Sequence, residues 1–203
     1  KSINHKSSTM KQQVLKFILP FGILFSACSD DVVPSGPVST PAKAAYVLSE
    51  GTFSGEAKLG LYDLTSGSFT GDYFNTQNGS ALGQIGNHMV QYGGKIYIVM
   101  NVTGNVTVID RNSGALLSRI NFVSLNPTRQ PRFAIAAGGK VFVSAQNGTV
   151  NVVDTTSLSI VSSITVGSNP EQMAVSGNKL FVTNSGGFNF PNYDSTVSVI
   201  DIP

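Results

Sequence analysis

Tryptophan is absent from the 203 residues, cysteine occurs once and histidine twice. A single thiol cannot form an internal disulfide, so no disulfide framework holds this chain together. His5, His88 and Cys28 are too few and too far apart to make a His/Cys cluster with metal-ligand spacing. Charge is scarce, at 12% Asp, Glu, Lys and Arg. From residue 28 onward nine Lys and Arg stand against eleven Asp and Glu, a net −2 with no basic run. That excludes an electrostatic footprint for nucleic acid. Past residue 30 no stretch has the period of an amphipathic helix. The 21 glycines, set against so little charge, suit short strands joined by tight turns.

A repeat is present. Lys140–Asp154 reads KVFVSAQNGTVNVVD, two β-rich runs about a turn at Gln146-Asn147-Gly148. Asn-Gly between such runs signals a hairpin, because both residues accept positive φ. Lys95–Asp110 (KIYIVMNVTGNVTVID) repeats the unit, and Lys179–Asp201 repeats it around a longer loop. A weaker copy spans Ala45–Asp63. The closing aspartates Asp63, Asp110, Asp154 and Asp201 fall at intervals of 47, 44 and 47. They read as turn formers, since an Asp side chain bonds backbone two residues on.

Each full unit divides into four strands: a short inner one (Asn87–Tyr92, Arg132–Ala137, Pro170–Val175), a Gly-Gly or Gly-Asn turn, the central pair, and an outer one (Ala115–Phe122, Ser159–Val166). A repeat of this length with several strands per unit predicts an all-β fold, a β-propeller of four-stranded antiparallel blades. Both faces of a blade are partly apolar, so alternation along each strand is imperfect. The first unit lacks an inner strand and the last an outer one, about three and a half blades over residues 44–203. The expectation is therefore a C-terminally truncated chain, with dimeric closure or an open arc as alternatives.

The N-terminal part reads as an export segment. Met10 is the first plausible start, which makes residues 1–9 upstream read-through. Lys11 and Lys16 precede the apolar run Phe17–Ala27, which is shorter than the ~20 residues a membrane span needs. The run ends in Phe25-Ser26-Ala27-Cys28, which resembles a bacterial lipobox with Phe where Leu is usual. Residues 10–27 are thus expected to be a lipoprotein signal peptide, and Cys28 the lipidated residue. Ser29, Asp30 and Asp31 resemble the acidic surface-export signal of Bacteroidetes lipoproteins. Residues 28–43, rich in Pro and Ser, form a tether.

The pattern K-[IVL]-[YF]-V, then [TN]-V-x-V-[IV]-D, then Pro170-Glu171-Gln172-Met173-Ala174, is similar to the YncE-like seven-bladed propellers. On that resemblance, roughly half of a seven-bladed ring is present. AYVLSEGTF near the start looks like the Bacteroidetes lipoprotein branch, which includes surface cobalamin-binding lipoproteins that partner an outer-membrane transporter. The resemblance implies no cofactor and no catalytic signature, and it transfers no ligand-contacting residue. The absence of tryptophan argues against WD-repeat scaffolds and tryptophan-docked quinoprotein propellers.

If the chain binds a ligand, topology places the site on the face carrying the second-to-third-strand loops and the interblade segments. Candidates are Asn101, Gln146 and Asn147 in the shorter loops, and Phe188, Asn189, Phe190, Asn192 and Tyr193 in the longest, Ser185–Asp194. Aromatics with amides suit flat polar ligands such as sugars or a corrin; alternatively, the rings fold back onto the blade. Arg129 and Arg132 could bind an anion there, or pair with Glu171. His88, at the start of an inner strand, reads as structural. Asp154-Thr155-Thr156 and Asp194-Ser195-Thr196 resemble an Asp-Ser/Thr O-glycosylation motif, and turn chemistry explains them equally well.

The leading expectation is a surface-anchored propeller, not an enzyme, that captures cobalamin or a glycan for an outer-membrane transporter. It would touch the membrane through its lipid only. A cell-envelope protein-interaction scaffold is the alternative. A metal-dependent lactonase-type propeller is third, since no acidic ring is visible and no metal ligand is assigned.

Overall fold

The computed structural model describes residues 43–123, 130–187 and 189–202. Cys28, Ser29, Asp30, Asp31, Arg129 and Phe188 lie outside them, as do residues 1–42, where the export segment and most of the tether were expected.

Four antiparallel sheets follow one another along the chain. The first comprises β1 (Ala44–Ser49), β2 (Lys58–Asp63) and β3 (Phe69–Thr70). The second is β4 (Gly86–Tyr92), β5 (Lys95–Met100), β6 (Asn105–Asp110) and β7 (Leu116–Asn121). The third is β8 (Pro131–Ala137), β9 (Lys140–Ala145), β10 (Thr149–Asp154) and β11 (Ser159–Thr165). The fourth is β12 (Pro170–Ser176), β13 (Lys179–Asn184) and β14 (Val197–Asp201). Each sheet is a meander whose neighbours in space are neighbours in sequence. This is the expected blade, with three strands rather than four in the first and last sheets.

Alternation along the central strands explains why blades stack on both faces. On β5, Ile96, Ile98 and Met100 pack with Leu59 and Phe74 of the first blade's side. Tyr97 and Val99, pointing the other way, pack with Ala134, Val141 and Val143 of the third blade. Phe142 and Val150 of the third blade meet Leu180 and Val182 of the fourth. Each of these aliphatic side chains, once fully buried, contributes about 1.5–3 kcal/mol. Both faces of a middle blade are consumed this way, so its strands cannot show a clean polar side.

The turns carry two departures from expectation. Gly93-Gly94 and Gly138-Gly139 have positive φ at both positions, as type I′ hairpins require. At Gln146-Asn147-Gly148 only Gly148 does, with φ +80, and its N–H donates to Ala145 O at 3.1 Å. The loop is therefore a three-residue connection closed by a left-handed glycine, and Asn147 does not supply the second positive φ. The other departure is a helix. Tyr73–Asn78 forms α1, a short turn stopped by Gly79 at φ +62, which donates to Asn75 O. It is too short to show a helical period. It is held by Phe74, fully buried beneath the Arg119 guanidinium, which lies 5.4 Å from the ring centre.

Three of the repeat aspartates hold turns, while Asp201 takes the Lys179 ammonium. Asp110 Oδ1 accepts the N–H groups of Asn112 (3.0 Å) and Ser113 (2.8 Å) and the Ser113 hydroxyl. Asp154 Oδ1 does the same for Thr156 and Ser157, while its other oxygen takes the Lys140 ammonium. Asp63 caps Thr65 and Ser66 in the first blade. The Ser66 backbone bond foremost holds Asp63 below the usual carboxylate range, and the Ser113 backbone bond does so for Asp110. The Lys140 ammonium is the main cause for Asp154.

Candidate functional site

The loops that join second to third strands, together with the interblade segments, bring the candidates to one end of the sheets. The structure sorts them into three roles.

Asn101 is a joint. It is 6% exposed, and its Nδ2 donates to Pro131 O at 3.0 Å, tying the β5–β6 loop to the start of the next blade. It is thus not placed to meet a ligand, contrary to expectation: its amide fits between two blades, where a buried carbonyl needs a donor. Asn147 is turned inward as well, its Oδ1 accepting from the Thr149 hydroxyl at 2.7 Å. His88 is a second joint. Its ring stacks on Phe133 with centroids 3.8 Å apart, and Nδ1 accepts the Ala134 N–H at 3.4 Å. That acceptor role leaves the proton on Nε2. Burial lowers the imidazole's pKa.

Arg132 and Gln146 line a recess between the third and fourth blades. Its volume is about 210 Å³, and Asn169, Glu171, Ser185 and Gly187 complete the lining. Arg132 Nε donates to both Glu171 oxygens, at 3.2 and 3.0 Å. Both side chains are about one-quarter exposed, so the pair is partly buried rather than a loose surface contact. Arg132 is therefore charge-compensated. Of the two expected outcomes for it, pairing with Glu171 is the one seen.

The repeat explains the recess. Counted from the Lys that opens each second strand, Glu171 stands where Arg132 stands one blade earlier, and Gln146 stands where Asn101 stands. At the junction of the second and third blades Asn101 reaches Pro131 and closes the gap. At the next junction the Gln146 backbone N–H bonds Gln130 O at 2.9 Å, while its amide has no partner among the described residues. Ser144 Oγ donates to Glu171 O at 2.8 Å across this junction, and the recess lies beside that bond. Asn169, Ser185 and Gly187 were not singled out from sequence. The signal was available in the repeat offsets, which place Ser185 level with Gln146.

The third group is the long loop. Its base is tied to the interblade segment: Ser185 N–H and Oγ both donate to Asn169 O, and Gly186 N–H donates to Ser168 O. Asp194 closes the other end, accepting from Ser168 N–H at 3.0 Å and from the Thr196 hydroxyl at 2.7 Å. The Thr196 hydroxyl is the first cause of its lowered pKa. Gly187, at φ +60, passes so close to Asn169 that a Cβ would sit 2.6 Å from its Cγ. From this base Phe190 and Tyr193 stand out, 78% and 58% exposed, with rings edge-to-face at 6.1 Å. They do not fold back onto the blade. Asn189 Nδ2 donates to Asn192 O at 3.2 Å, so Asn189 and Asn192 shape the loop tip.

No protein-family model and no curated protein matches the sequence. Solved structures do match the fold. The Kuenenia stuttgartiensis hydrazine synthase aligns with a TM-score of 0.57 at 17% identity, over 70% of this chain and 39% of that one. The computationally designed Ika4 protein aligns at 0.55 and 15% identity, over 78% of this chain and 86% of that one. BamB from Moraxella catarrhalis aligns at 0.51 and 15% identity, over 71% and 38%. The chain thus spans about two fifths of the natural proteins it resembles. At such identities the likeness speaks for architecture alone, and with the four meander sheets it establishes that the described chain is a β-propeller-like protein.

Proposed function

We propose that this protein is a non-catalytic, ligand-binding propeller that captures a nutrient at the cell surface. The observation that carries the reading is the exposed aromatic pair Phe190 and Tyr193, raised on a tied-down loop whose base lines a polar recess. Large exposed rings beside convergent polar groups are what a binding site for a flat or ring-shaped polar ligand requires. The role of His88 as an interblade joint, stacked and hydrogen-bonded, fits a site without a general base.

In its finer form the proposal is a YncE-like propeller of the Bacteroidetes surface-lipoprotein branch. Cys28 carries the lipid, Ser29, Asp30 and Asp31 direct export, and the ligand passes to an outer-membrane transporter. The ligand is cobalamin or a glycan. The test is to titrate the whole chain, solubilised in detergent, with cyanocobalamin by calorimetry and to probe it on a glycan array. Tight stoichiometric binding that the Phe190→Ala/Tyr193→Ala double variant loses would support the proposal. No heat, no array signal and no signal by a second method would refute it and leave the envelope-scaffold reading.

A further inference from the structure

We infer that the recess between the third and fourth blades is a subsite for one neutral, hydroxyl-rich unit, the size of a single sugar ring. The inference rests on the ligand-capture reading and narrows its ligand class.

Charge comes first. Arg132 and Glu171 neutralise each other at 3.0 Å, and the remaining lining side chains, Gln146, Asn169 and Ser185, are uncharged. A phosphate or carboxylate entering here would compete with Glu171 for the guanidinium, and an ammonium would compete with Arg132. Neither gains net attraction. A neutral diol gains from both partners. The carboxylate has about four lone-pair sites and accepts hydroxyl protons at those the arginine leaves free. The guanidinium has five N–H donors, and Nε is the one directed at Glu171. Hydrogen bonds to charged groups are the stronger kind, so the pair is a fixed donor–acceptor fork for adjacent hydroxyls.

Gln146 adds an amide with no partner among the described residues. The equivalent Asn101 spends its amide on Pro131 O and closes the neighbouring junction. The longer Gln146 instead lines the recess. Size sets the limit. About 210 Å³ is smaller than the ~300 Å³ at which pockets for drug-sized ligands begin. One ring enters, and a macrocycle would rest on the rim. Phe190 and Tyr193, on the loop that supplies Ser185 and Gly187, offer stacking faces for a second unit outside.

The experiment is saturation-transfer NMR on the whole chain with a panel of methyl glycosides of glucose, galactose, mannose and N-acetylglucosamine. Glucose 6-phosphate and sialic acid serve as charged counterparts, and cyanocobalamin is run alongside. A neutral glycoside is expected to bind, with its charged counterparts binding no better. Glu171→Gln and Gln146→Ala are each expected to weaken it about tenfold or more. Gln146→Ala leaves the ion pair intact, so loss in that variant cannot be attributed to misfolding of the junction. Circular dichroism checks both variants. Glycoside binding unchanged in both folded variants would overturn the inference while capture survives. Cyanocobalamin binding without any glycoside would do the same. Silence from every probe would remove the inference and the capture reading together.

Discussion

Tyr97→Phe is expected to make the protein more stable. Tyr97 lies wholly buried between the second and third blades, packed among Val99, Val108 and Val141. Its hydroxyl is enclosed without a hydrogen-bond partner among the described residues. Burial raises its pKa, with the Asp154 charge adding to the effect. Folding therefore strips water from a polar group and gives nothing back, a cost of about 1–3 kcal/mol. Phenylalanine keeps the ring and leaves no large cavity, so little offsets the relief. The expected gain is about 1–2 kcal/mol, or roughly 3–6 °C in Tm for a domain of this size. Urea denaturation followed by circular dichroism measures it, with an unchanged m-value as the check that the unfolded state is the same. Tyr97→Leu, which changes the shape, is expected to lose about 1–3 kcal/mol in the same assay. If Tyr97→Phe is destabilised by about 1 kcal/mol or more at constant m, the hydroxyl is satisfied in solution and the reasoning fails.

Four further outcomes follow from the same geometry. Asn101→Ala should lose about 1–2 kcal/mol in urea denaturation by orphaning the Pro131 carbonyl, and should leave ligand affinity unchanged. His88 has a folded pKa below its unfolded one, so its contribution is fully present above about pH 6.5 and is lost as pH falls toward the folded value. His88→Gln should flatten the stability profile below about pH 6.5, measured as urea midpoint against pH. Phe190→Ala/Tyr193→Ala should change stability by less than about 0.5 kcal/mol, because both rings are exposed, while weakening ligand about tenfold in titration. Cys28→Ser should abolish labelling by a radioactive fatty acid and shift the protein from membrane to soluble fractions on fractionation.

The blades were legible because their signals are local. The strands Lys95–Met100, Asn105–Asp110, Thr149–Asp154 and Lys179–Asn184 fall inside the repeat units read from alternation and turn residues, and the units open and close where these strands do at Lys95, Asp110, Asp154 and Lys179. Asp63, Asp110 and Asp154 bond backbone two and three positions on, an interaction that a short window contains. The turn at Gln146-Asn147-Gly148 was harder, since loop length sets which residue takes positive φ. Helix α1 escaped because its one buried ring, Phe74, is secured by Arg119, 45 positions away.

The candidate residues were legible as loop positions and not as a set of contacts. Gln146, Arg132, Phe190 and Tyr193 were chosen by topology; the first two line one recess, and the other two stand exposed on the loop whose base completes it. Asn101 was chosen on the same ground and is a joint, because its amide meets a carbonyl 30 residues on. By itself the sequence determined the strands, their order within each blade and the spacing of the repeat. Those follow from period-two alternation and tight turns between neighbours in the chain. Tertiary structure alone decided which junction Asn101 fills and which one holds the recess. Arg132 and Glu171 are 39 residues apart and meet only when whole blades stack, so the sequence left their pairing open beside anion binding and the stacking selected it.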